Sequence, residues 1–220
     1  MKYVFLCAFS LLSLMHLVYS WKDEKKGRAM TKPFLLILLL LYYAFSAKPV
    51  DIWLAAALFT SWLGDALLIP EGNGWFTAGG IAFLLSHLCF IGAYVKRIDF
   101  SAVRWIWVLP AAAVYFGIAW WIIRTIRGTT PKSMVVPMYL YLLANGAMNT
   151  FAFMLLTSVP CTGSAFAFVG AILFFASDCT QFLLRYGPKP ELIFKKHFTV
   201  MLTYLLGEFL IAQGILMLGF

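Results

Sequence analysis

Apolar residues in this chain fall into long unbroken runs, not into the alternating or striped patterns of a water-soluble fold. The runs lie at roughly 3–21, 32–47, 50–70, 75–95, 102–123, 134–156, 162–185 and 197–219. About twenty residues rising about 1.5 Å each cross the hydrocarbon layer of a bilayer. Lipid offers no partner to a free peptide group, so a crossing segment must satisfy its own, as a helix does. Short breaks with turn-forming residues separate the runs: Pro70-Glu71-Gly72-Asn73-Gly74, Gly128-Thr129-Thr130-Pro131 and Gly187-Pro188-Lys189-Pro190. Such short connections force neighbouring helices to be antiparallel. The predicted fold is all-α: a polytopic integral membrane bundle of about eight transmembrane helices, forming one domain over 1–220.

Composition agrees. Of 220 residues, 63% are hydrophobic and 12% charged, about half the charged fraction that covers a soluble domain. Mean hydropathy is +0.88. The formal charge of +8 is not spread over a nucleic-acid face. Basic residues gather between apolar runs, as in Lys22, Lys25, Lys26 and Arg28 or Lys189, Lys195 and Lys196. There each interacts with anionic lipid headgroups for about 1 kcal/mol. The implied partner is the bilayer, not nucleic acid. Cys7, Cys89, Cys161 and Cys179 form no C-x-x-C pair, which predicts neither a zinc site nor a disulfide framework.

The loops after the first, fifth and seventh runs are the basic ones, which places them in the cytoplasm and both termini outside. Lys96, Arg97 and Arg104, after the fourth run, break this pattern. The first run, from Lys2 to Val18-Tyr19-Ser20, also resembles a signal peptide. Its cleavage site is poor and its continuation basic, so it is expected to remain as a helix. Compact loops favour a bacterial plasma membrane, with the endoplasmic reticulum as the site in a eukaryotic host.

Ionisable side chains inside apolar runs single out the chemistry. A central Asp costs about 2.5 to 3.5 kcal/mol on insertion scales, and such groups face the bundle interior or a wet cavity. Asp65, His87, Asp178 and Glu208 are four such groups on separate helices, compatible with one cavity opening toward the cytoplasmic leaflet. Each also has a structural alternative as interhelical polar glue. One echo links two of them: Gly79-x-x-x-Phe83-x-x-Ser86-His87 parallels Gly170-x-x-x-Phe174-x-x-Ser177-Asp178. Lys32, Tyr43, Ser86, Ser177 and Tyr204 are candidates for shaping the cavity or meeting a bound lipid. Tyr139, Tyr141, Asn145 and Asn149 lie together on the sixth run.

Together with Thr31-Lys32-Pro33 and Leu63-Gly64-Asp65-Ala66-Leu67-Leu68, these strings resemble, in order and over nearly the whole chain, the lysoplasmalogenase family of YhhN-like membrane proteins. The resemblance implies hydrolysis of the vinyl ether bond of a lysoplasmalogen, a lysophospholipid, to a fatty aldehyde and a glycerophospho-headgroup alcohol. It maps the family's intramembrane acidic positions onto Asp65 and Asp178. Vinyl ether hydrolysis begins with protonation of the β-carbon, and water then captures the oxocarbenium ion. A protonated carboxylic acid and a carboxylate suit those two steps, as in glycosidases. Asp65 and Asp178 are the expected catalytic pair, with His87 orienting water or tuning one acid. Lys32, Tyr43, Ser86, Ser177, Tyr204 and Glu208 are the expected substrate-binding residues, and no cofactor or metal is required. The competing readings are a small proton-coupled transporter, a zinc-dependent hydrolase using His16, His87 and His197, and a protein without turnover.

Overall fold

The computed structural model describes residues 1–219, and these form eight α-helices with no strand. In chain order they are α1 (Lys2–Trp21), α2 (Lys25–Ser46), α3 (Ile52–Leu67), α4 (Asn73–Val95), α5 (Trp105–Ile126), α6 (Lys132–Ser158), α7 (Thr162–Tyr186) and α8 (His197–Leu218). A single 3₁₀ turn, Pro190–Leu192, interrupts the α7–α8 connection. Seven helices are long and apolar enough to cross a membrane. The eighth, α3, is apolar but has 16 residues.

Two boundaries depart from the hydropathy pattern. α2 starts at Lys25, about two turns before the apolar run at 32. Lys, Arg, Ala and Met are good helix formers, so the helix continues through the charged stretch that hydropathy reads as loop. α3 stops at Leu67, three residues before Pro70, and its start is fixed by Asp51, whose side chain accepts from the Trp53 N–H at 2.9 Å. That bond caps the helix.

Helices adjacent in sequence pack as antiparallel pairs, chiefly α1 on α2, α3 on α4 and α7 on α8, while α6 joins α4 to α5 and α7. The α7–α8 seam is backbone against backbone. A Cβ placed on Gly170 would lie 2.6 Å from the Gly207 carbonyl oxygen, and one on Gly214 would lie 2.5 Å from that of Gly163. Small residues permit this approach where lipid supplies no hydrophobic drive between helices. The α3–α4 seam repeats the device: a Cβ on Gly79 would lie 2.8 Å from Leu68, and one on Gly64 would lie 2.6 Å from the Phe83 ring.

Basic side chains concentrate at one end of the bundle, in the connections after α1, α5 and α7. Lys96 and Arg97, at the opposite end, meet an acid. Arg97 donates to Asp51 at 2.6 Å and Lys96 lies 3.5 Å from it. Arg97 also donates to the Ala93 and Gly219 carbonyls. Lys96 and Arg97, two of the three basic residues that break the loop pattern, thus belong to a charged knot joining α4 to the start of α3 and the end of α8.

Candidate functional site

The two intramembrane aspartates sit near the basic end of the bundle. Asp65 is two residues from the end of α3 and 2% exposed. The Lys32 ammonium, from α2, lies 3.2 Å from its Oδ1, and the Tyr204 hydroxyl, from α8, donates to Oδ2 at 2.8 Å. Gly64 beside it gives up its side-chain space to the Phe83 ring, which brings α4 close. Three helices beyond its own therefore hold this carboxyl in place.

Asp178 lies on α7 and receives its partners from α6 and α4. The Tyr141 hydroxyl and the Asn145 amide donate to Oδ2 at 2.7 and 2.6 Å. His87 Nε2 lies 3.3 Å from the same oxygen, within ion-pair range but outside hydrogen-bond geometry. Helical side chains lean toward their own N-termini. Since α4 and α7 run in opposite directions, His87 and Asp178 lean toward each other across the bundle. All three neighbours address Oδ2, and Oδ1 has no hydrogen bond to a described residue. The Asp178 side chain keeps 13% exposure.

Two cavities meet at this carboxyl. The first, of about 370 Å³, is a polar chamber opening at the basic end and lined by both aspartates with Lys32, Tyr204, Ser177 and His16. Lys25, Arg28, Arg185 and His197 ring its outer part. The second, of about 390 Å³, is an apolar slot between α4 and α6, walled by Ile81, Leu84, Met134, Met138 and Leu140. Ile81 and Leu140 are each 56% exposed on the outer surface of the bundle, so the slot opens sideways toward lipid. Asp178, Phe83 and Gln181 line both spaces.

The residues singled out from the sequence divide into three groups. Asp65, Asp178, Lys32, Ser177 and Tyr204 share the polar chamber. His87 touches Asp178 from behind, in the fully buried interior. Ser86, Glu208 and Tyr43 line neither cavity. Ser86 bonds the Ser61 hydroxyl and the Ala57 carbonyl, and Ser177, though in the chamber, donates to the Val200 carbonyl across the α7–α8 seam. Glu208 is fully buried and has no hydrogen-bond partner for either oxygen among the described residues. Tyr43 accepts the Asp51 N–H at 2.9 Å. It lies eleven residues beyond Lys32, about 16 Å along α2, at the other end of the bundle.

Sequence reasoning names His16 only in the zinc-dependent reading and passes over Arg28, Gln181 and Arg185 as site residues. The first carried the usable signal, an ionisable ring within an apolar run. The others lie in turns of helix near the boundary, where charge is ordinary. Among the described residues, no group of three His, Cys, Asp or Glu side chains converges as a metal set.

The chamber and slot form a container with one charged and one greasy compartment, suited to an amphiphile with a single chain. Comparison with known proteins points the same way. Two curated relatives, each named lysoplasmalogenase, come from Mycobacterium bovis and Mycobacterium tuberculosis. Each is 34% identical over 162 residues, or 71% of this chain. The match spans 60% of their own length. No solved structure matches the chain. The YhhN family model matches residues 27–215, from the start of α2 into the last turn of α8 and across both aspartates; the chain belongs to the YhhN family.

Proposed function

We propose that this protein hydrolyses the vinyl ether bond of a lysoplasmalogen, releasing a fatty aldehyde and a glycerophospho-headgroup alcohol. One observation carries the reading: Asp178 stands where the polar chamber meets the apolar slot. In a lysoplasmalogen the vinyl ether stands at the same boundary, between glycerol and hydrocarbon. With the chain in the slot and the glycerophosphate in the chamber, the reacting carbons come to the acid. The names of the mycobacterial relatives support the same activity.

The residues suggest a division of labour. Asp178 delivers a proton from Oδ1 to the β-carbon, its other oxygen being held by Tyr141 and Asn145. The π-bond electrons form the new C–H bond, leaving an oxocarbenium ion at the carbon attached to oxygen. Asp65, placed beside Lys32 and Tyr204, stabilises that cation and takes a proton from the attacking water. The hemiacetal then collapses to aldehyde and alcohol, with one water consumed overall. His87 acts through Asp178, fixing the carboxyl's orientation.

The test follows the fragment that each linkage would release to the purified protein in detergent: aldehyde from 1-alkenyl, fatty alcohol from 1-alkyl and fatty acid from 1-acyl lysolipids. Cleavage of the alkenyl substrate alone is expected. Equal cleavage of the acyl substrate would make the protein an esterase and overturn the reading. Detergent holds no gradient, so turnover there also excludes a transporter as the whole account.

A further inference from the structure

α1 contributes one side chain to the polar chamber, His16, and residue 16 lies before the stretch that the family model matches. The ring is 1% exposed. Its Nδ1 lies 2.7 Å from the Thr31 hydroxyl of α2. That hydroxyl has one hydrogen, and it donates to the Gly27 carbonyl at 2.8 Å, one helical turn back. The arrangement that makes both contacts at once has Thr31 accepting from His16, with the ring hydrogen on Nδ1. In the neutral ring Nε2 is then a bare lone pair, an acceptor and not a donor.

Other polar groups of the chamber have protein partners, apart from Asp178 Oδ1, which the proposed reaction uses as proton donor, and Gln181 and His197, whose side chains have no hydrogen bond among the described residues. Asp65 is held by Lys32 and Tyr204, Asp178 by Tyr141 and Asn145, and Ser177 by the Val200 carbonyl. Glu71, at the mouth, pairs with Lys25. Among the described residues lining the chamber, His16 Nε2 is the one buried side-chain polar atom without a partner. A buried acceptor left unpaired costs about 1–3 kcal/mol, so such a position calls for a donor. The cations around it, Arg28, Lys25 and Arg185, match a phosphate but offer nothing that a hydroxyl hydrogen can bond.

We infer that His16 Nε2 accepts a hydrogen bond from the free sn-2 hydroxyl of the glycerol backbone and is the residue that selects a lysolipid. The inference rests on the proposed substrate class. A lysolipid has that hydroxyl and a diradyl lipid has an acyl oxygen instead, so the second would leave Nε2 unpaired and bring two chains to a slot built for one. Thr31, within the Thr31-Lys32-Pro33 string, is the positioning residue: its contact with Nδ1 orients the ring and, in the tautomer that satisfies both hydrogen bonds, leaves Nε2 an acceptor.

The experiment compares a 1-alkenyl lysolipid with its 2-deoxy analogue, which also has one chain, by kcat/KM in detergent. Binding of the matching non-cleavable 1-alkyl pair is followed by thermal shift. Wild type is expected to favour the hydroxyl form by about 30-fold, the effect of one unpaired buried acceptor. In His16→Ala this preference shrinks to within about threefold, because the deoxy compound loses little while the hydroxyl compound loses its partner. Thr31→Val keeps the ring but frees its tautomer and gives an intermediate preference, which keeps the inference testable if His16→Ala folds poorly. A wild type without preference, or a His16→Ala variant that lowers both compounds equally, overturns it. Should neither alkenyl compound be cleaved, the proposed reaction fails, and the binding pair still decides the role of His16.

Discussion

Two aspartates at opposite ends of the bundle are each buried against basic side chains, yet their surroundings differ in kind. Asp51 caps α3, accepts from Arg97 at 2.6 Å, lies 3.5 Å from Lys96, is 0% exposed and lines neither of the two cavities. Asp65 also faces a cation, Lys32 at 3.2 Å, and is 2% exposed, but it borders a chamber of about 370 Å³ shared with a second acid. Burial and charge pairing are common to both, so neither marks a catalyst. The difference is reachable space with a second titratable group across it. Asp51 ties chain ends together, and Asp65 has somewhere to put a substrate.

Substitutions at the two ends can break this contrast. The largest effect is expected for Asp178→Asn, which keeps the shape but removes the proton donor; aldehyde release should fall by about 10³-fold or more. Asp65→Asn should cost about 10²-fold in kcat, with KM changed less, since it addresses a cation that exists only after protonation. Full turnover in both variants would remove the two-carboxylate mechanism. Next in size is Gly80→Leu in the slot, where an added Cβ meets nothing within 4 Å. The fold should tolerate it, while KM for a long-chain substrate rises by about tenfold and a short-chain one is little affected. A uniform loss across chain lengths would detach the slot from the hydrocarbon.

At the other end, Asp51→Asn should leave turnover per folded molecule within about twofold and lower stability by about 2 kcal/mol, read as melting temperature in detergent. A loss of activity at constant stability would mean the knot reaches the site. The smallest effect concerns pH. Burial acts to raise the Asp51 carboxyl, but the Arg97 and Trp53 hydrogen bonds and the charges of Arg97 and Lys96 outweigh it and hold the group below its ordinary value. Its stabilisation is thus complete above the ordinary carboxylate value, about 4, and is lost as pH falls through that value and past the lowered one. Wild type should lose more melting temperature over that acid range than Asp51→Asn does.

The sequence made much of this legible, for a physical reason: an ionisable group in an apolar helix is expensive enough to stand out. Asp65, Asp178, His87 and Glu208 were all visible on that ground. Cost alone cannot say which of them share space, and Glu208 proves to be sealed in the interior while His16, from the first helix, reaches the chamber. Tyr43 was drawn toward Lys32 by closeness in sequence, although eleven helical residues carry it most of the way to the Asp51 end. α2 was read as short because hydropathy scores Lys25 to Arg28 as loop, whereas the backbone needs only helix-forming residues to continue. The two echoed segments of α4 and α7, similar in sequence, also touch in the structure. Phe83 and Phe174 meet edge to face with ring centres 6.2 Å apart, and His87 faces Asp178 at 3.3 Å. Gly79 and Gly170 each mark the close approach to a neighbouring helix.

On the proposed reaction, the sideways mouth between Ile81 and Leu140 would bear on what happens after the bond is cut. A long aldehyde is a poor solute in water and an electrophile toward lysine amines, two of which, Lys25 and Lys32, line the chamber at the opposite mouth. Escape through the lateral opening would deliver it straight into hydrocarbon, while the headgroup alcohol would depart through the charged vestibule. The two fragments of the proposed reaction would then part by different routes, with recombination and adduct formation avoided by architecture alone.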